Sequence, residues 1–415
     1  MQKAPNRSAQ QGRQEIKKTE DNHRISQAKN NRLIVVLGMH RSGTSVISRG
    51  LQVVGVDLGD RLMPAMEGVN DKGFWEDIDL NAFNEEILGF LDKSWSSLAS
   101  IEAHEIAALS RAGYLLRGIE LLRQKTNSKS IFGFKDPRVA SLLPFWNMVF
   151  KHGQFKVSYV IALRHPLSVV KSLIKRDGIE TVQGYLLWLG HVIASVSANT
   201  VNKRVIVDYD RLMQSSDKEL NRIALEFDLK VNQAALSKYH VDFLDNKLRH
   251  TIYELQDLFL DSACPPIVQE VYTTLLEVAS DKYKDDSELN KKIEQYVYEY
   301  QRIRSSLLLV DKLSSKIKIS TQVVSERDGQ LSALNQELAK VGEELTHATH
   351  IVTQRDGQLS ALNQELAKVA EELTHATHIV TERDGQIQKI LKSNSWRFTS
   401  PIRVIGRFKN KIYKN

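Results

Sequence analysis

Residues 326–353 recur at 354–381 with changes only at Glu326/Gln354 and Gly342/Ala370. The period of 28 residues is four heptads, and few folds accept such a period. Steps of seven from Tyr296 through Val324, Leu331, Leu338, Leu345, Val352 and Leu359 to Ile387 meet an apolar residue every time. The positions three later include Leu334, Val341, Ala348, Leu362, Val369 and Ala376, interrupted once per repeat by Arg327, Arg355 and Arg383. This is a heptad seam and predicts a coiled coil over 291–391, with polar Arg layers suited to fixing register. Gly329, Gly357 and Gly385 fall on the outer face, where each costs about 1 kcal/mol of helix propensity without disturbing the seam. No Pro or turn cluster breaks the run. A long single helix folded back on the rest of the chain is the alternative. At 1.5 Å per residue the segment would exceed ~100 Å, the length of a spacer or of a stalk for self-association as a dimer or trimer.

The other 300 or so residues are different in kind, and charge separates them further. The chain of 415 residues carries +7 overall, which first suggests nucleic acid as a partner. Residues 1–32 hold a local +5, however, and residues 392–415 a local +7 with no acid at all, which leaves about −5 for the body. Nucleic acid therefore drops out as the expected partner. Residues 1–31 are rich in Gln, Lys, Arg and Ser and hold no apolar stretch of the secretory kind, so they read as a disordered basic leader. The longest apolar window, Tyr185–Val196, is interrupted by Gly190, His191 and Ser195 and reads as a buried helix. The lone cysteine, Cys264, rules out an intrachain disulfide and fits a reducing compartment. The expected location is the cytoplasm, with at most a peripheral place at the inner face of a membrane.

From Arg32 onward, short β-rich runs alternate with helical stretches. Leu33–Leu37, Ile131–Phe134, Val157–Leu163 and Arg204–Asp208 read as strands. Glu102–Lys125, Ser141–Lys151, Leu167–Lys175 and Val182–Ser197 read as helices between them. That alternation predicts an α/β domain over 32–290, with a parallel β-sheet flanked by helices on both faces.

Gly38-Met-His-Arg-Ser-Gly43-Thr44-Ser45 lies between the first strand and a helix. It matches the glycines and terminal hydroxyl of the phosphate loop G-x-x-x-x-G-K-[ST], with Thr44 in the lysine position. Backbone amides at such a turn form an anion site whatever the side chains are, and here the cation comes from within, as Arg41. A second motif, Leu163-Arg164-His165-Pro166, opens a helix with Ser172 two turns along. Arg164 and Ser172 are placed to grip one phosphate.

Together these motifs resemble those of the sulfotransferase family, which uses 3′-phosphoadenosine-5′-phosphosulfate (PAPS), in its bacterial and Golgi-type branch. The resemblance covers roughly 32–260. It implies a P-loop NTPase-like sulfotransferase fold, with Arg41, Ser42, Gly43, Thr44 and Ser45 on the 5′-phosphosulfate and Arg164 and Ser172 on the 3′-phosphate. Phe134-Lys135-Asp136-Pro137-Arg138 is similar to the family's K-D-P segment, and Val207-Asp-Tyr209-Asp210-Arg-Leu212 to its Y-E-x-L motif. Asn70-Asp-Lys-Gly-Phe-Trp75-Glu76 resembles its N-x-K-G-[FY]-[WF]-E segment. By that resemblance Arg41 with the loop amides stabilises the leaving 5′-phosphate, Lys135 reaches the bridging oxygen or a sulfonate oxygen, Glu76 is the base, PAP is the product and no metal is required. His40 is the competing base, Asp136 orients Lys135 or Arg138, Phe74 and Trp75 form an acceptor platform or pack as core, and Arg249 offers a further phosphate contact. The acceptor implied is a carbohydrate hydroxyl on a surface or lipid-linked glycan. A P-loop kinase is disfavoured by Thr44, and an inactive coiled-coil scaffold by the intact Arg41, Lys135, Arg164 and Ser172.

The last segment, 392–415, resembles the S-W-R-x-T-x-P-[LI]-R tail of some bacterial surface-polysaccharide enzymes. Trp396, Phe398, Ile402, Val404, Ile405, Phe408 and Ile412 alternate with Arg and Lys. Such a basic aromatic tail suits an anionic membrane surface, or alternatively the capping of a partner subunit.

Overall fold

The computed structural model describes residues 31–66, 73–127, 129–197, 203–242, 244, 253–282 and 286–412. The leader, Asn70–Lys72 and Arg249 lie outside the described residues. The chain divides into two compact units, Met1–Ile317 and Lys318–Asn415.

The first unit is built on four parallel strands: β1 (Arg32–Leu37), β2 (Phe132–Lys135), β3 (Lys156–Leu163) and β4 (Arg204–Asp208), in the order β2-β1-β3-β4. Each is a β-branched or aromatic run within a residue or two of its expected position. Side chains alternate between two cores, as a sheet covered on both faces requires. Leu33, Val35 and Leu37 of β1 join Tyr159, Ile161 and Leu163 of β3 on one face. Ile34 and Val36 join Val160, Ala162, Val205 and Val207 on the other. The first face is closed by the aromatic helix Leu143–Gly153 and by Thr181–Ser197, whose Trp146 and Trp188 are fully buried. The second is closed by Thr44–Leu51 and Ser216–Glu226. The helix expected over Glu102–Lys125 is two helices, Ala103–Arg111 and Tyr114–Thr126, because Gly113 between them sits at φ 87 in the left-handed region.

The strand order fixes where a ligand can sit. From β1 the chain crosses to β2 on one side, and from β3 it crosses to β4 on the other. The carboxyl ends of β1 and β3 therefore flank a topological switch point, the usual ligand crevice of open α/β sheets.

The first unit also runs further than its expected limit at residue 290. The helix Asp286–Arg302 buries Leu289, Ile293, Tyr296 and Tyr300, and Leu307 follows in the next helix. Asp311 then accepts the Leu98 and Ala99 amides at 2.8 and 2.9 Å. Tyr296 thus continues the seven-residue series yet belongs to the domain core. Any helix packed along one face repeats near that spacing, so periodicity alone cannot locate the boundary.

In the second unit, Lys318–Lys392 is the continuing part of the helix Arg304–Lys392, and every residue from 312 to 392 is exposed. Ser393 Oγ then accepts the Trp396 amide at 3.2 Å and caps the short helix Asn394–Phe398, after which Ser400–Ile412 is helical. No described helix is long and apolar enough to cross a membrane.

Candidate functional site

The β1 loop carries two left-handed residues, Arg41 at φ 69 and Gly43 at φ 82. Gly43 admits no other residue. A Cβ there would lie 2.1 Å from Cδ2 of Tyr209, which starts the helix after β4. Thr44 opens the helix Thr44–Leu51 and is buried, as a residue filling a structural slot would be. Ser42 is also buried, and its Oγ has no partner.

Two hydrogen bonds join this loop to the β3 motif. Arg41 Nε donates to Ser172 Oγ at 2.8 Å, and Arg164 Nη1 donates to the Arg41 carbonyl at 2.8 Å. The Arg164 guanidinium also stacks on Tyr209, with Cζ 4.3 Å from the ring centroid, while its carbonyl accepts Trp188 Nε1 at 3.2 Å. Tyr209 is thus the floor shared by Gly43 and Arg164. Burial, and then the neighbouring Arg176 and Arg164, push Arg41 below its ordinary pKa. Concentrated cation charge of this kind favours an anion between the two loops.

The third group forms at the end of β2, whose Lys135 lies beside Val36 in the sheet register. Lys135 Nζ reaches Glu76 Oε1 at 2.6 Å, and both residues are buried, at 3% and 6% exposure. Glu76 is therefore no solvated loop carboxylate. Its Oε2 accepts Asn81 Nδ2 at 2.9 Å and lies 3.8 Å from Arg138 Nη1. Asp136 orients Arg138, accepting its amide at 2.9 Å and its Nη1 at 3.0 Å, while Asn84 Nδ2 donates to the other oxygen at 2.9 Å. Trp146 Nε1 donates to Asn84 Oδ1 at 2.9 Å and so ties this network to the core.

Ser45 Oγ donates to the Phe74 carbonyl at 3.1 Å, which links the phosphate loop to the segment carrying Glu76. Trp75 packs against the second core and lies 5.5 Å from the Arg49 guanidinium. His40 lies within the β1 loop itself. Its ring meets Trp95 edge-on at 4.8 Å and its Nε2 is buried without a partner. Burial first, then the charges of Arg138, His191, Arg176 and Lys135, hold its pKa well below the ordinary imidazole value. His40 is thereby kept neutral.

Every described residue expected at the site lies at the carboxyl edge of the sheet, in two groups: the loop–Arg164–Ser172 group and the Lys135–Glu76 group. Tyr209 as a shared floor, Arg176 beside Arg41, and the Asn81 and Asn84 supports were not singled out in the sequence. Asn81 and Asn84 did leave a trace, as amides three apart on the helix Ile78–Phe90.

The fold and site define a doubly wound α/β domain with a cationic crevice at its switch point. No protein-family model and no curated protein matches the chain. Among solved structures it is similar to the sulfotransferase domain from the Synechococcus PCC 7002 olefin synthase, with 17% identity, 62% of this chain and 96% of that chain covered, and a TM-score of 0.35. It is also similar to the sulfotransferase domain from the curacin biosynthetic pathway, with 14% identity, coverage of 59% and 96%, and a TM-score of 0.36.

Proposed function

We propose that the first unit is a PAPS-dependent sulfotransferase acting on an acceptor hydroxyl, with a carbohydrate of a surface or lipid-linked glycan as the acceptor class. The observation that carries this reading is the convergence of Arg41, Ser172 and Arg164 at the switch point, two motifs 123 residues apart joined by direct hydrogen bonds. The crevice fits a phosphosulfate. Ser42 Oγ is buried without a partner, and the charges of Arg164 and Arg176 bear on the half-buried Arg41 guanidinium.

In this reading the amides of Gly43, Thr44 and Ser45 with Arg41 hold the 5′-phosphosulfate, and Arg164 and Ser172 hold the 3′-phosphate. PAPS supplies a sulfuryl group whose bond to a phosphate oxygen breaks as the acceptor oxygen bonds to sulfur. Glu76 accepts the acceptor's proton, within a carboxylate fixed by Lys135 and Asn81. Arg41 and the loop amides take up the charge left on the phosphate. Lys135 compensates the buried carboxylate until the proton arrives, and Asp136 keeps Arg138 beside Glu76. The buried, desolvated pair is stronger support for Glu76 as base than for His40, which burial keeps neutral but which has no group to orient it.

Thermal shift with PAP, with ATP plus Mg²⁺, and with buffer tests the donor. PAP alone should raise the melting temperature. A response to ATP instead would favour a kinase, and no response to either an inactive scaffold. Glu76→Gln should abolish transfer and leave PAP binding within a factor of three, and near-normal turnover in that variant would move the base elsewhere. Mass spectrometry of surface glycans with and without the gene, for an added sulfate, tests the acceptor class.

The second unit supports two further roles. Its exposed heptad stripe fits self-association. Residues 392–415 fit an anionic membrane surface, which would place the protein at the cytoplasmic face. Trp396, Phe398, Ile402 and Ile405 are exposed there, Arg403 stacks on Trp396 with Cζ 3.5 Å from the ring centroid, and no acidic residue follows Lys392. Liposome flotation with and without residues 392–415 separates lipid binding from the capping of a partner.

A further inference from the structure

The exposed stripe of the second unit carries more information than the fact of pairing. Leu331, Leu338, Leu345, Val352, Leu359 and Leu366 occupy position a of successive heptads on one continuous helix, and Leu338 and Leu366 are each 70% exposed. Position d holds Leu or Val twice and Ala once per repeat, and then an arginine: Arg327, Arg355 and Arg383. Each arginine is followed at position e by an aspartate: Asp328, Asp356 and Asp384. From 328 to 386 neither position e nor position g holds a Lys or Arg. The arginines are thus the only cations on the seam or its flanks over that stretch.

We infer that the second unit pairs with a second copy of this chain as a parallel, in-register, two-stranded coiled coil whose register is set by the three Arg–Asp layers. This rests on the self-association reading above and adds its geometry. In a parallel pair d faces d′ and each d side chain packs beside e′ of the partner, so every arginine layer brings two arginines and two aspartates together with no net charge. In an antiparallel pair d faces a′, and every a position from Val324 to Ile387 is apolar. Three neutralised layers would become six arginines, each set against an aliphatic residue, the more costly arrangement for a charge leaving water. The flanks agree. An antiparallel pair sets g against g′, where Glu337, Glu344, Glu365 and Glu372 would meet one another. A parallel pair sets g against e′, where Glu337 meets Gly342 and Glu344 meets Thr349. Sliding by 28 residues also aligns arginine with arginine, but one layer is left unmatched, so full overlap is favoured. Two strands suit the arginines better than three, since a third helix would enclose a third guanidinium in each layer.

The experiment uses the full chain in a Cys264→Ser background with either Leu331→Cys or Leu373→Cys. Sedimentation equilibrium should give dimers. Each single-cysteine variant should cross-link to itself with a short bismaleimide, and an equal mixture of the two should give no product joining one variant to the other. A mixed product without self-cross-links would overturn the parallel arrangement, and trimers would overturn the two-stranded one. Monomers throughout would overturn self-association itself. Replacing Asp328, Asp356 and Asp384 together by Lys should raise the dimer Kd at least tenfold, and an unchanged Kd would reject the Arg–Asp layers.

Discussion

The carboxyl edge of the sheet and the long helix reverse the usual distribution of polarity in opposite directions. At the sheet edge, charged groups are inside: Lys135, Glu76, Asp136 and Arg164 are all buried. Along Lys318–Lys392, aliphatic groups are outside, in one regular stripe. The two regions differ in how the cost is met. The sheet edge offsets its buried charge internally, through the Lys135–Glu76 and Arg138–Asp136 pairs, and leaves only a few atoms such as Ser42 Oγ without a partner. The helix has no internal means of covering a leucine stripe, because one helix cannot bury its own face.

If the sheet edge is internally balanced, removing one member of its ion pair should cost more than removing both. Lys135→Met should lower the unfolding free energy of the first unit by ~3–5 kcal/mol in urea, by stranding Glu76 in the interior. The double variant Lys135→Met, Glu76→Leu should recover most of that loss while remaining inactive. A double variant no more stable than the single would show that the pair is not the balancing element.

The next largest effect is a pH response confined to the first unit. Burial takes His191 down to about 4 from an ordinary value of 6.5. A depressed folded-state pKa contributes stability that is complete above about 6.5, where both states are neutral, and that is lost as pH falls through about 4, because the unfolded chain binds the proton first. The shift corresponds to about 3 kcal/mol at one to two kcal/mol per pH unit. His191→Met should flatten the fall in stability between pH 6.5 and 4, measured as the difference between urea curves of the two proteins. His40, also held low and in part by His191 itself, adds to the slope in the same direction in both proteins.

A smaller effect concerns ligand affinity and leaves the fold intact. Arg164→Ala should weaken PAP binding by ~2 kcal/mol or more in calorimetry, the scale of losing a charged hydrogen-bonding partner. Unchanged affinity would remove Arg164 from the phosphate site.

The last pair of variants contrasts a core leucine with one on the exposed stripe, where the expected effect is smallest. Leu163→Ala, in the core behind the site, should cost the first unit ~2–5 kcal/mol. Leu338→Ala should leave that unit's urea transition within ~0.5 kcal/mol and lower only the helical signal of the second.

Much of the fold is legible in the sequence. Four strands appear within a residue or two of their expected places, because β-branched runs bounded by Gly, Pro and polar turns leave little choice. The strand–turn–helix geometry of Gly38–Ser45 and of the Arg164 segment was legible for a related reason: each lies within about ten residues of chain. The limit of the first unit was not legible. Tyr296 sits on the same periodic stripe as Leu331, and only packing distinguishes a stripe that faces a domain from one that faces solvent.

What the sequence by itself determined is therefore local and periodic: strands, the two strand–turn–helix segments, and a heptad stripe with its recurrent Arg-Asp step. What only the tertiary structure decided are the relations between distant residues. Glu76 and Lys135 are 59 positions apart and meet at 2.6 Å. Tyr209 becomes a floor because β4 ends beside β3, and Gly43 is glycine because that ring lies against it. Propensity and spacing act over one or two turns of chain. A buried contact between strands depends on which strand ends are neighbours in the sheet, and that order is set by the packing of the whole domain.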